Sequence, residues 1–557
     1  MNEQPDVKSI IKNNTIFVGE INQLLHNEGI EINNRLDIIL QYINNGLYET
    51  EIEVELSEKT HRRILELSNS VSLDRNEIYQ ILFMFYCNKK TKLNLDQYYT
   101  PYTICKFLTA LMIPGKSAID PACGTGDLLK SYDGEVSLWD VSSDVLGICS
   151  QNYELNAKSC NIRCTNSIRE DTIENDTYDY CCLNPPFGSS TVITDTDVLN
   201  RYILGKGERK VEIGILFIER ALRLVKRGGI VSIILPNGYL GNSTRMVLKL
   251  KKYLLSMRII AIIELPDNAF SRSGTGVSTS ILIVQRVKTD TPYNIYIKRL
   301  NNIGYILNKK NTPYKYKKSA GKYLIENGLP VLDDDFSDTL EELNSFVFNE
   351  GIKGLNSSIP KTTIKYEVVN TTRLDRTILD VKRYLRTYLD IVENHTDTTS
   401  IRISDLIQDC SGKFTLEDDK NYIYLDIKSI TSPLYDNSKE LYGYELPGRA
   451  KISLQLHDII VSRLKGKISF TIILDDVDNI VCSNGFCLLR PKDYTSALII
   501  FANLFSKEFK IVHNSLCTGS IMETISNADL KNIYINKMID IDKYTAVIDA
   551  LQVINEL

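Results

Sequence analysis

At 557 residues, 43% hydrophobic and 24% charged, the chain has ordinary globular composition and exceeds what one core organises, so two to four domains are expected. The formal net charge of -5, from 65 Lys and Arg against 70 Asp and Glu, argues against a protein that coats nucleic acid through general phosphate neutralisation; it leaves room for a local basic groove. No run approaches the roughly 20 apolar residues of a membrane span, and the opening MNEQPDVKSIIKNN lacks a signal core, so a cytoplasmic protein is expected.

In chain order, residues 1–95 place apolar side chains at helical spacing, as in Ile21-Leu24-Leu25, Ile38-Leu40-Ile43, Ile64-Leu65-Leu67 and Ile78-Ile81-Leu82, which predicts an N-terminal helical domain. From 96 to 300 short β-rich runs such as SAID, VSLWD, YDYCCLN and GGIVSIILP alternate with helical patterns. This predicts an α/β domain with a doubly wound, mainly parallel sheet. Residues 301–395 read as a polar, basic segment and then a mostly helical connector. Residues 396–557 read as an α+β domain closed by a terminal helix from Asp542. The twelve cysteines are scattered without zinc-ligand spacing, so no metal and no disulfide is expected; Cys160, Cys164, Cys181 and Cys182 read as core residues.

Ala118 to Leu129 carries the first chemistry: an apolar run, Asp120 at its end, then Pro121-Ala122-Cys123-Gly124-Thr125-Gly126 entering an expected helix. Glycines let backbone approach a ligand, and a helix N-terminus offers free N–H groups. The spacing is neither GxGxxG nor GK[ST], which weakens dinucleotide and P-loop readings. Asp140 closes the next run, where an acid can accept the hydroxyls of a ribose.

Asn184-Pro185-Pro186-Phe187 follows the apolar run Tyr178 to Leu183. An exocyclic amino group attacks poorly because its lone pair is delocalised into the base. The Asn184 amide oxygen and the Pro185 carbonyl can accept both amino hydrogens and turn that lone pair toward a methyl donor. The prolines stiffen the loop. Phe187 can stack on a base that has left its duplex.

With these residues in hand, Gln97 to Arg286 resembles the gamma-class amino-methyltransferases, particularly the modification subunits of type I restriction-modification systems. By that resemblance Tyr98-Tyr99-Thr100-Pro101 is the entry motif over the methionine part of S-adenosyl-L-methionine. Asp120, Ala122, Cys123, Gly124, Thr125 and Gly126 form the main cofactor loop, Asp140 is the ribose-binding acid, and Asn184 to Phe187 are catalytic. Asn166, followed by Ser167, stands where the family has an acid for the cofactor's adenine amino group; an amide oxygen also accepts there, with weaker binding expected. The resemblance implies a Rossmann-like class I methyltransferase core and a site-specific adenine-N6 DNA methyltransferase of a bacterial or archaeal restriction-modification or related defence system. Cytosine N4 stays open as the target, as does a specificity or scaffold subunit inactive without a partner; methylation of protein or RNA is disfavoured. No acid-x-Glu-x-Lys segment in the N-terminal helices suggests a fused nuclease.

The C-terminal part resembles half of a type I specificity subunit, on Ile403-Ser404-Asp405-Leu406-Ile407, Tyr422 to Ile427, His457 to Arg463, and Gly519-Ser520 leading to Ala528-Asp529-Leu530. That implies a target recognition domain for double-stranded DNA. A single such domain leaves a homodimer, a monomer, and separate specificity or restriction subunits all open. Candidate DNA contacts are Lys206, Arg209 and Lys210 beyond the catalytic loop, and Lys315, Lys317 and Lys318, interleaved with Tyr314 and Tyr316. In one glycine-containing loop lie Arg463, Lys465 and Lys467. For each group a solvated surface is the alternative.

Overall fold

A strand needs a row of β-branched and aromatic side chains and a place to end, and the chain supplies both in turn. The computed structural model describes residues 7–43, 56–71, 73–87, 99–170, 174–186, 191–271, 275–307, 314–357, 364–396, 398–410, 412–436, 439–466, 468–475 and 479–556. These divide into two units, Met1–Leu379 and Asp380–Leu557.

In the first unit, α1 (Val7–Asn27), α2 (Ile32–Ile43), α3 (Glu58–Ser70) and α4 (Arg75–Cys87) form the expected helical region. Their apolar stripes meet in one cluster that includes Phe17, Ile21, Leu25, Ile39, Ile64, Leu67, Tyr79 and Leu82. The helices do not stand apart from the sheet domain: Ile148 and Leu155 pack against that cluster, and buried polar groups of α4 reach the loops that follow.

Nine strands form the large sheet: β1 (Ser117–Asp120), β2 (Glu135–Asp140), β3 (Asn161–Cys164), β4 (Tyr178–Leu183), β5 (Val225–Pro236), β6 (Arg258–Glu264), β7 (Thr279–Gln285), β8 (Asn294–Arg299) and β9 (Glu367–Asn370). Their order is β9-β8-β6-β7-β5-β4-β1-β2-β3. The half from β5 to β3 is parallel throughout. The strand β7 runs antiparallel between β5 and β6. Helices α5 (Tyr102–Ala110), α6 (Ser143–Glu154), α7 (Thr196–Arg201) and α8 (Ile213–Leu224) accompany the parallel half. This is a Rossmann-like α/β core, and the ends of β1, β2 and β4 fall on one edge of it. Cys181 and Cys182 are buried within β4, whereas Cys160 is half-buried and Cys164, on the edge strand β3, is exposed and not a core residue.

Two expectations change. No α-helix follows the glycine turn: residues 121–134 run as consecutive turns, closed by three-residue bonds such as Gly126 N to Cys123 O (2.8 Å) and Tyr132 N to Leu129 O (3.0 Å). Two left-handed glycines and the start of β2 at Glu135 leave too little chain for a helix. The connector is also less helical than expected. Besides α9 (Phe336–Asn349) and the helix Arg386–Glu393 it contributes β9, an antiparallel edge strand on β8. The boundary between the units falls within it.

The second unit is α+β. A three-stranded sheet pairs Ile459–Ser462 with Phe470–Ile472 and Phe486–Leu489, and a four-stranded sheet is built around Asn421–Leu425 and Ile480–Ser483. Helices Tyr494–Leu504, Lys507–Leu516 and Ile541–Glu556 contribute Phe501, Phe509, Val512 and Leu551 to a core with Ile459, Val461 and Phe470.

Candidate functional site

The site begins where β1 ends. Asp120 is buried, and its Oδ1 accepts the backbone N–H of Ala122 at 3.0 Å. Burial, reinforced by the nearby Asp140 carboxylate, pushes its pKa up to about 8. The chain then turns through Gly124 (φ 52°) and Gly126 (φ 78°). A Cβ on Gly126 would lie 2.6 Å from Cys149 Sγ, whereas one on Gly124 would meet nothing within 4 Å. One glycine is therefore required by packing behind the loop. The other opens the loop toward the cavity.

Asp140, at the end of β2, braces this turn. Its Oδ2 accepts the Gly124 N–H and its Oδ1 the Ser142 N–H, both at 3.0 Å. From behind, Lys130 is wholly buried; its Nζ donates to Asp127 Oδ1 (3.2 Å), Asn152 Oδ1 (3.0 Å) and the Asn76 carbonyl of α4 (3.0 Å). Asn152 in turn donates to the Thr125 carbonyl at 2.9 Å. A buried ammonium held by three oxygens fixes the loop from outside the cavity.

A cavity of about 270 Å³ lies at these strand ends, near the lower limit of small-molecule sites. It brings together Tyr99, Thr100, Asp120, Ala122, Cys123, Gly124, Thr125, Asp140, Asn166, Ser167, Asn184 and Pro186 from five separate segments of the chain. Gly126 sits behind it, Pro101 precedes α5 as its N-cap, and Pro185 is buried beside it. Tyr98 and Phe187 lie outside the described residues. Val141, Thr191, Ile213 and Phe217 also line the cavity; no motif marks them, because they reach it through the tertiary fold alone.

Asn166 lines the cavity. Its Oδ1 accepts the N–H groups of Ile168 (3.2 Å) and Arg169 (3.1 Å), so both lone pairs of that oxygen serve the local turn. Ser167 Oγ donates to the Pro121 carbonyl at 2.6 Å and joins this turn to the glycine loop.

Asn184 leaves β4 at the cavity. Its Nδ2 donates to Thr100 Oγ1 at 3.1 Å, and its Oδ1 is buried. That bond orients the carboxamide, with nitrogen toward Thr100, and it joins two motifs 84 residues apart.

The candidate DNA contacts separate into two kinds. Lys206, Arg209 and Lys210 are exposed, on the turn between α7 and a short strand, Val211–Glu212, that pairs with Val192–Ile193. Thr191 and Ile213, which flank that pair, line the cavity, so the basic turn stands beside it. By contrast, Tyr314 and Tyr316 are buried and packed in a row with Tyr305, which removes them as stacking surfaces. Lys315 pairs with Asp333 at 2.7 Å, Lys317 is half-buried, and Lys318 lies over the Tyr323 ring at 4.7 Å.

In the second unit Lys465 is 12% exposed and pairs with Glu523 at 3.0 Å, while Arg463 Nε donates to the Ile525 carbonyl at 3.0 Å. Lys467 lies outside the described residues. Arg463 and Lys465 are thus internal ties: a buried carboxylate needs a cation, and the hairpin supplies it. No motif marks Tyr442 and Tyr444, 48% and 66% exposed, whose rings stack at 5.7 Å and 5°; Lys439 and Arg449, close by in sequence, are exposed and lie 3.5 and 3.7 Å from Asp426. The alternate spacing of the two tyrosines is the only signal they leave.

Residues 74–323 match the N-6 DNA Methylase family model. The chain is 24% identical over 371 residues to the Type I restriction enzyme MpnII methylase subunit of Mycoplasma pneumoniae, covering 61% of this chain and 64% of that one. It is 25% identical over 245 residues to the Type I restriction enzyme EcoEI methylase subunit of Escherichia coli, covering 40% and 48%. The chain therefore spans less than two thirds of the length of these curated relatives. Among solved structures, the type IIG restriction endonuclease BpuSI aligns with 99% of this chain and 73% of its own, at 12% identity and a TM-score of 0.48.

Proposed function

We propose, because residues 74–323 match the N-6 DNA Methylase family model, that the chain transfers a methyl group from S-adenosyl-L-methionine to N6 of an adenine flipped out of double-stranded DNA. One observation carries this reading: Asn184 and Pro186 of the loop after β4 open onto the same cavity as the glycine loop and Asp140.

The residues around the cavity fit S-adenosyl-L-methionine. Gly124 leaves space for close approach, Asp140 stands at the β2 end where a ribose would be held, and Tyr99 and Thr100 cover the other side. When bound, the cofactor supplies an electrophilic methyl group on a sulfonium. The chain's own residues do the rest. Thr100 fixes the Asn184 carboxamide, whose Oδ1 accepts one amino hydrogen of the target base, and the Pro185 carbonyl accepts the other. Both acceptors favour the pyramidal nitrogen needed for attack, with no strong general base. Phe187, next in the chain, is assigned to stacking on the extruded base.

Lys206, Arg209 and Lys210 are assigned to phosphates flanking the target adenine. Site choice is assigned to the second unit, read as a target recognition domain over 396–557. There Tyr442, Tyr444 and Arg449 replace Arg463 and Lys465 as candidate contacts. Glu440 and Glu445 beside them make that patch mixed in sign, which suits base-edge readout better than phosphate binding. Assembly with separate specificity or restriction subunits, or a homodimer, belongs to the same reading.

The test is expression of the chain alone in a methylation-free bacterial host, with modified bases mapped by single-molecule sequencing and Asn184→Ala as control. N6-methyladenine confined to one recurring motif and absent with Asn184→Ala is expected. An unmodified genome from well-folded wild type would overturn the reading of a self-sufficient enzyme, and N4-methylcytosine would overturn the assigned base.

A further inference from the structure

Helix α4, largely apolar, carries buried polar groups that bond to segments around the cavity. Gln80 is 2% exposed, and its Nε2 donates to the backbone carbonyl of Thr100 at 2.8 Å. One turn earlier, the Asn76 carbonyl accepts Lys130 Nζ at 3.0 Å, and Glu77 accepts the Tyr305 hydroxyl at 2.7 Å. Positions 76 and 80 share a helix face. So α4 holds two segments of the site at once: the turn beneath the glycine loop, through Lys130, and the entry segment, through Thr100.

A glutamine in the middle of a helix core is costly unless it is satisfied, and at this position a leucine would fill the volume. What the amide adds is a fixed position for the Thr100 carbonyl. Thr100 is the residue whose Oγ1 receives Asn184 Nδ2 at 3.1 Å. A shift of the Thr100 backbone therefore moves the hydroxyl that orients the carboxamide.

We infer that Gln80 is a positioning residue, which sets the Asn184 carboxamide through Thr100, and that α4 is an integral part of the catalytic site. It rests on the proposed methyl transfer. Gln80 touches neither the base nor the cofactor. Its loss acts on the step that needs alignment, since small displacements of a reacting group cost rate more than binding.

The experiment is a double-mutant cycle in the full chain, with transfer of labelled methyl groups from S-adenosyl-L-methionine to unmethylated bacterial genomic DNA. Gln80→Met keeps the volume and removes the donor; Thr100→Val keeps the shape and removes the hydroxyl. Each is expected to lower kcat about tenfold, with the KM for S-adenosyl-L-methionine changed less than about threefold. Because both act on Asn184, the double variant should also fall about tenfold and not a hundredfold. Gln80→Asn, which withdraws the donor by one methylene, should fall in the same direction; it decides the matter if Gln80→Met does not fold, as thermal unfolding would report.

Overturning results are an unchanged kcat in the Gln80 variants, or a double variant equal to the product of the singles, which would make Gln80 a packing residue. An active wild type with either result sinks only this inference. A wild type without methyl transfer sinks the functional reading on which it rests.

Discussion

Asn184 Nδ2 donates to Thr100 Oγ1 at 3.1 Å, which ties the loop after β4 to the segment that enters α5. A carboxamide is nearly symmetric in shape, and this bond turns its nitrogen toward Thr100 and its oxygen away. Asn184→Asp would place an anion where a neutral acceptor is held and would lose the donor to Thr100. Methyl transfer is expected to fall about 10²-fold or more, with S-adenosyl-L-methionine affinity, read by calorimetry, changed only a few-fold. A parallel loss of cofactor affinity would mean that Asn184 chiefly holds the cofactor.

Asp120 predicts a pH dependence. Its buried carboxyl is protonated below about 8 and ionised above. A cationic ligand favours the ionised form, so S-adenosyl-L-methionine should bind more tightly as pH rises from 7 to 9, with proton release on binding below 8. Asp120→Asn should flatten that profile, as calorimetry in buffers of different ionisation enthalpy would register.

Gly126→Ala should damage the cofactor loop from behind. Its φ of 78° is left-handed, and the new Cβ would collide with Cys149 Sγ and Tyr153. Backbone strain alone costs about 1–2 kcal/mol. A lower Tm and weakened cofactor binding are expected together. At Gly124, where space is open, alanine should spare the fold more than it spares binding.

The second unit stands on a buried ion cluster. Lys382 is 2% exposed, lies 3.4 Å from Asp380, pairs with Glu523, and donates to the Cys517 carbonyl at 2.9 Å. Lys382→Met leaves two buried carboxylates sharing less positive charge, and a loss of about 3–5 kcal/mol is expected. Denaturant unfolding should show it as an earlier transition of the second unit.

Replacing Lys206, Arg209 and Lys210 together by Ala should weaken DNA binding and make it less sensitive to salt, by about 0.9 in the log–log slope for each phosphate no longer neutralised. Titrations at several salt concentrations would read it. An unchanged slope would return these residues to solvated surface.

Periodicity and local motifs were enough for much of this architecture. Ile21 with Leu25 and Ile64 with Leu67 bury where helical spacing put them. Asp120, Asp140 and Asn184 stand at strand ends because each follows a short β-rich run, and a strand's direction decides which edge its last residue reaches. The sequence by itself could not say that the segment after Gly126 lacks room for a helix, nor that Glu367–Asn370 adds an edge strand.

Partners distant in the chain lay further out of reach. Lys465 looks like any loop lysine until Glu523 is placed beside it, and Tyr314 and Tyr316 look like stacking rings until Tyr305 and Asn14 enclose them. The physical reason is common to these cases. Strand and helix signals arise within a few residues, whereas the burial and pairing of a polar side chain depend on contacts across hundreds. Tertiary structure alone decided that Gln80 of α4 holds Thr100, and that Thr100 in turn holds Asn184.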